Sequence, residues 1–145
     1  MRPTPRGDRM QAGQAVVELA LVVPLLLFLA FGVVGVGRVT QARMAVSAVA
    51  TDAALAAARA SSPGEALSMG MERGSAVAHG YGLSDGALHL TVDASAFGRG
   101  GQVRATARYT VTLRDLPLLG WAEPTVQSTA VAPVDTYSGG TSGQR

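Results

Sequence analysis

The chain has 145 residues, 48% of them hydrophobic and 15% charged, which suits one modest domain with appendages and not a multidomain enzyme. It lacks cysteine, lysine, asparagine and isoleucine, which excludes disulfide scaffolds, cysteine-ligated metals, thiol catalysis and N-linked glycosylation. The AT-rich codons of the last three point to a GC-rich bacterial coding sequence. The net charge of +2 comes from scattered arginines, and residues 14–145 carry nine basic and nine acidic side chains, so bulk charge predicts no nucleic-acid partner.

Residues 1–13 read as a basic cytoplasmic leader carrying Arg2, Arg6 and Arg9. From Leu19 to Gly37 follow nineteen residues without a charge, LALVVPLLLFLAFGVVGVG, and a helix of that length spans about 28 Å, the thickness of the bilayer hydrocarbon core. Arginines are denser before the run than after it, where Arg38 stands, so a single pass with the N-terminus inside and the C-terminus outside is expected. The run exceeds the apolar core of a cleaved secretory signal, and Ser47-Ala-Val-Ala50, which imitates a signal-peptidase site, lies well beyond it in a helical stretch. Leu19, Pro24, Phe28, Gly32 and Gly37 mark the membrane helix, with a mild kink expected at Pro24. Gly32, Gly35 and Gly37 form no G-x-x-x-G pair and predict only a thin surface that another helix can approach.

Glu18 is the anomalous residue. It has apolar neighbours on both sides where the chain enters the membrane, and a carboxylate at the bilayer centre costs roughly 2.5–3.5 kcal/mol. At headgroup depth, near the positive end of its helix, it costs little. Gly13-Gln-Ala-Val-Val-Glu18 places a glycine just before the apolar segment and the glutamate five residues later, which resembles a class III prepilin processing site. The stretch from Gly13 to Leu27, GQAVVELALVVPLLL, resembles the start of the TadE-like family, pilin-like proteins of the Tad (tight adherence) pilus apparatus. The resemblance implies cleavage after Gly13 by a membrane-embedded prepilin peptidase, with Gln14 as the new N-terminus. It also implies that Glu18 pairs with a neighbouring subunit's freed amine, since two buried charges offset one another only when correctly staggered. Leu19 stands where many processed Tad pilins carry an aromatic, and Gln14 where mature type IV pilins have phenylalanine.

Arg38 to Ala60 is alanine-rich without glycine or proline, so the membrane helix is expected to continue outward as a stalk over residues 14–60. Val39, Ala42, Val46, Val49, Ala53, Ala56 and Ala60 recur at steps of three and four and form a seam facing the protein's own sheet or other subunits. Residues 61–132 read as a small extracytoplasmic α+β domain. Ser62 as N-cap, Pro63 and Glu65 predict a capping box opening a second helix that ends near His79, with Gly64, Gly70 and Gly74 needing support from packing. The period then changes to two: Leu88 to Asp93, Val103 to Leu113 and Thr125 to Ala132 read as three antiparallel strands. Residues 133–145 read as a disordered tail.

Leu116, Leu118, Leu119 and Trp121 make an apolar loop where loops are normally polar, serving either as a cap over the sheet end or as an interface. His79 and His89, with Glu72 and Asp85 as conceivable co-ligands, fix no metal geometry, and Gly80 to Gly86 lacks the lysine of a phosphate cradle. No catalytic constellation, cofactor, metal or small-molecule substrate is expected. The sequence therefore predicts a pilin-like α+β subunit of the bacterial cytoplasmic membrane that enters, or helps to assemble, an extracellular pilus. Its partners would be the prepilin peptidase, other pilin-like subunits and the assembly machinery. An uncleaved membrane-tethered binding module is the alternative.

Overall fold

The computed structural model describes the backbone of residues 7–134 and the side chains from Gly13 onward. Arg2 and Arg6 of the leader and residues 135–145 of the tail lie outside the described residues. The elements in order are α1 (Gly7–Ala58), α2 (Pro63–Gly80), a short 3₁₀ turn (Asp85–Ala87), β1 (Leu88–Asp93), β2 (Gln102–Thr110) and β3 (Thr125–Pro133). This is an α+β fold with a long N-terminal apolar helix, a second helix and a three-stranded antiparallel sheet.

Helix α1 is 52 residues long and runs through Pro24 without interruption, about 78 Å end to end. It starts seven residues before the expected Gln14, inside the leader. Its far end tightens into i to i−3 hydrogen bonds, Arg59 N–H to Ala56 O at 3.2 Å and Ala60 N–H to Ala57 O at 3.3 Å. Pro63 then forces Ser62 into an extended conformation (φ −146°, ψ 158°), which separates the two helices. The Ser62 hydroxyl caps α2 by accepting from Glu65 N–H at 3.2 Å. The expected capping box is displaced by one residue, because the Glu65 carboxylate accepts from the amide of Ser61 at 2.8 Å and from the Ser61 hydroxyl, and not from Ser62. Those two donors hold the Glu65 carboxyl below the usual carboxylate value.

The sheet has strand order β1-β2-β3. Registers such as Val92↔Ala105 and Val103↔Ala132 align the buried residues on one face. The opposite face is polar: Thr106 and Thr129 hydroxyls meet at 3.1 Å across the strands, and Arg108 donates to Gln127 Oε1 at 2.8 and 3.2 Å. Strand β2 stops at Thr110, short of the expected Leu113, yet Val111 and Leu113 stay buried in the same core. Strand β3 extends to Pro133, one residue into the expected tail, and Val134 N–H still bonds Gly101 O at 2.9 Å.

The outer half of α1 packs against both α2 and the sheet, and α2 also covers β1. The buried face of α1 is accordingly wider than the single expected seam. Ala45, Ala50, Ala54 and Ala57 are buried as well, whereas Ala56 is only half-buried. A one-sided seam would suffice for one partner, and here there are two. The largest fully buried side chains are Val46, Val49 and Val103, so the core is built from small residues at close approach. At Gly70, an added methyl would lie 3.1 Å from both Ala57 Cβ and Val92 Cγ2 and 3.2 Å from the Ala53 carbonyl oxygen. At Gly74 it would collide with Leu90. These glycines carry the support that the sequence requires of the packing.

Gly70→Ala should therefore destabilise. Overpacking costs about 1–3 kcal/mol against the roughly 1 kcal/mol of helix propensity that alanine gains over glycine. A net loss of about 1 kcal/mol is expected in denaturant unfolding of the membrane-extracted protein. Gly64→Ala, which meets nothing within 4 Å, should be neutral or slightly stabilising; equal stability of the two variants would mean that α2 can withdraw from α1.

Candidate assembly segment and membrane boundary

At the start of α1, Gly13 is exposed, with no atom outside the local helix within 4 Å of a Cβ placed on it. Gln14 and Glu18 stand one helical turn apart, and Gln14 Nε2 donates to Glu18 Oε1 at 3.2 Å. The three residues implicated by the sequence thus share one exposed helical stretch. Leu19, Leu21, Pro24, Leu25 and Phe28 follow, all exposed. This is a helix long and apolar enough to cross a membrane, the one such helix among the described residues.

The apolar surface turns from solvent to protein over a single turn. Phe31 and Gly32 are half-buried and Gly35 is buried. A Cβ on Gly35 would lie 3.1 Å from Leu119 Cδ1 and 3.9 Å from Leu116 Cδ1, while Gly32 and Gly37 have open space. The thin surface expected for a neighbouring helix is used, at Gly35, by the protein's own 113–122 loop. Three residues further on, Arg38 donates from both Nη atoms to the two carboxylate oxygens of Asp115, each at 2.6 Å. The fork geometry suits a carboxylate, and the Arg38 hydrogen bonds hold the Asp115 carboxyl below its usual value of 3.8. A groove of about 450 Å3 runs beside this contact, lined by Gly32, Val36, Val39, Leu113 and Leu119 among others.

Within the loop, successive turns are closed by Leu116 N–H to Leu113 O (2.9 Å), Leu119 N–H to Leu116 O (3.2 Å) and Ala122 N–H to Leu119 O (2.9 Å). Arg114 spans it by donating to Glu123 Oε1 at 2.8 and 3.1 Å. The four apolar residues divide into two pairs. Leu116 is buried and Leu119 half-buried against the core, whereas Leu118 is 60% and Trp121 84% exposed. Leu118 adopts a left-handed conformation (φ 70°), and its carbonyl accepts the Trp121 indole N–H at 2.9 Å.

The histidines lie elsewhere and apart. His79 Nε2 is 3.4 Å from Asp85 Oδ1, both side chains exposed, and His89 stands on the polar face of β1. Among the described residues, no group of three or more histidine, aspartate or glutamate side chains is arranged to hold a metal ion. Sequence reasoning missed Asp115, and it named Gly35 without finding that the protein's own loop packs there. The glycine was one of three, and the acid was an ordinary loop residue next to Arg114, with nothing local to connect it to a helix 77 positions earlier.

The TadE-like protein family model matches residues 13–55. The match begins at Gly13 and ends one turn before the end of α1, so it covers the membrane and stalk helix and leaves α2 and the sheet outside. No curated protein and no solved structure matches the chain. The TadE-like resemblance therefore holds over those residues alone.

The Arg38–Asp115 pair is exposed, so Asp115→Ala should leave global stability nearly unchanged. Its effect should be local: faster amide exchange over residues 113–122, with β2 and β3 unchanged. Because the folded carboxyl lies below 3.8, the pair contributes fully above that pH and is lost as pH falls through the depressed value. Native protein should therefore acquire the exchange pattern of Asp115→Ala only in strong acid, and the variant should show no such step.

Proposed function

We propose that this protein is a pilin-like structural or assembly subunit of a Tad-type pilus. It sits in the bacterial cytoplasmic membrane through α1, N-terminus inside and C-terminus outside, and is matured by a prepilin peptidase that cuts after Gly13. Its work is assembly and not turnover: Leu19 to Gly37 serve as membrane anchor and then as filament core, with other pilin-like subunits as partners. One observation carries the reading. The family match starts at Gly13, and Glu18 follows on the same exposed helical stretch at the head of a bilayer-length apolar helix.

The physical logic supports each role. A glycine inside a helix is its local weak point, costing about 1 kcal/mol relative to alanine, and a peptidase must unwind the segment it cuts. Gln14 occupies one acceptor oxygen of Glu18 in the free subunit. Cleavage would turn residue 14 into an α-amine, a charged donor suited to a neighbour's Glu18 once subunits are in register.

The intact mass and N-terminal sequence of the membrane-extracted protein, in cells with and without their prepilin peptidase, test the first step. A peptidase-dependent start at Gln14 is expected. A start at Met1 or Arg2 in both strains would overturn maturation and favour an uncleaved tethered binding module. Glu18→Ala should leave membrane insertion and processing intact while sharply reducing surface pili. Normal piliation in that variant would remove the register role.

A further inference from the structure

The membrane boundary carries a second apolar element besides α1. We infer that the 116–121 loop rests on the outer leaflet, with Leu118 and Trp121 lodged among the lipid headgroups and upper acyl chains. The inference depends on the reading of α1 as a membrane span.

Depth is the first argument. Gly35 lies two residues before the end of the uncharged run, about 3 Å along the helix axis. Leu119 is packed on Gly35, so the loop is held at the level where the span leaves the hydrocarbon. Arg38, the first charge after the run, pairs with Asp115 immediately before the loop, which places a charged pair at headgroup depth and fixes the start of the loop at that level of α1.

Chemistry is the second. Leu116 and Leu119 face inward and tie the loop down, while Leu118 and Trp121 face out and serve no packing role in the subunit. Tryptophan concentrates at membrane interfaces because its large apolar ring favours acyl chains and its N–H needs a partner. Here that N–H is already satisfied by the Leu118 carbonyl, so the ring can leave water without stranding a donor. Leu118 holds the left-handed conformation that side chains disfavour, and the result is an exposed leucine beside the indole. An apolar pair on a loop pinned at the bilayer surface has lipid as its nearest apolar medium.

Trp121 is the sole tryptophan in the chain, so its fluorescence reads this site alone. The full chain is reconstituted into phosphatidylcholine vesicles containing a minority of phosphatidylglycerol and recovered by flotation. The expected result is emission shifted to the blue of the denatured protein and loss of most acrylamide quenching. Lipids brominated near the top of the acyl chains should quench more strongly than those brominated near the chain ends. None of this should change as the protein is diluted in lipid. Flotation with water-like emission and full acrylamide quenching would overturn the inference and leave the membrane span standing. A blue shift that vanishes on dilution and resists brominated lipid would also overturn it, by showing that a second copy covers the pair. Failure to float would remove the span itself, and the inference with it.

Discussion

Everything beyond the long apolar run depends on one constraint: the C-terminal half of α1 must be thin. Two different layers, α2 and the sheet, pack on the same helix, and each needs its own strip of the helix surface. A helix studded with leucines would hold them apart. Alanine at 42, 45, 50, 53, 54, 57 and 58 brings both layers to near backbone contact, and Gly70 and Gly74 complete the approach from the side of α2. Each methyl group contributes little, about 0.8 kcal/mol when buried. The stabilisation comes from the number of such contacts and from dispersion across short distances. Among the described residues no polar side chain is buried, so the cohesion of this core is apolar and sensitive to volume.

The same helix solves a different problem at its other end. From Gly13 to Ala30 every residue is exposed; from Gly35 onward one face of the helix, built mostly of alanine and valine, is buried against protein. The change coincides with the approach of the 113–122 loop and with the Arg38–Asp115 pair. An exposed ion pair is a weak source of stability. Its value here is positional, because it joins a loop far along the chain to the first charged residue after the apolar run. The domain is thereby attached to α1 at two levels, through the alanine seam and through this contact.

Much of this was legible from residue order alone. The uncharged run, the change of period after Gly86 and the Ser-Pro-x-Glu signal each report a local rule, and local rules survive without knowledge of the tertiary fold. The failures have a common cause. The alanine seam read as one-sided because periodicity finds a stripe and cannot tell how many partners share it. The capping box slipped by one residue because Ser61 and Ser62 are both able to serve Glu65, and the choice depends on how the chain leaves α1. Asp115 and the partner of Gly35 were missed because their meaning lies in contacts between residues far apart in sequence. Of the candidate site, the Gly13, Gln14 and Glu18 segment was legible as a local motif, whereas the division of the apolar loop into an inward and an outward pair required the fold.

Continuity of α1 has a consequence for assembly. The helix is unbroken from Gly7 to Ala58, so Glu18 and the residues that pack on the sheet belong to one continuous element. Under the proposed role, pairing at Glu18 sets the position of the outer domain along a filament with a precision of the helix rise, about 1.5 Å per residue. With the loop on lipid as inferred, a subunit leaving the bilayer would also lift its 116–121 loop off the headgroups as the apolar helix left the lipid. Leu118 and Trp121 would then need a new apolar surface, which under the proposed role a neighbouring subunit would offer. A loop that rests on lipid before assembly and on protein after it would make extraction favourable only where a neighbour is already in place, which opposes release of single subunits and favours addition to a growing end.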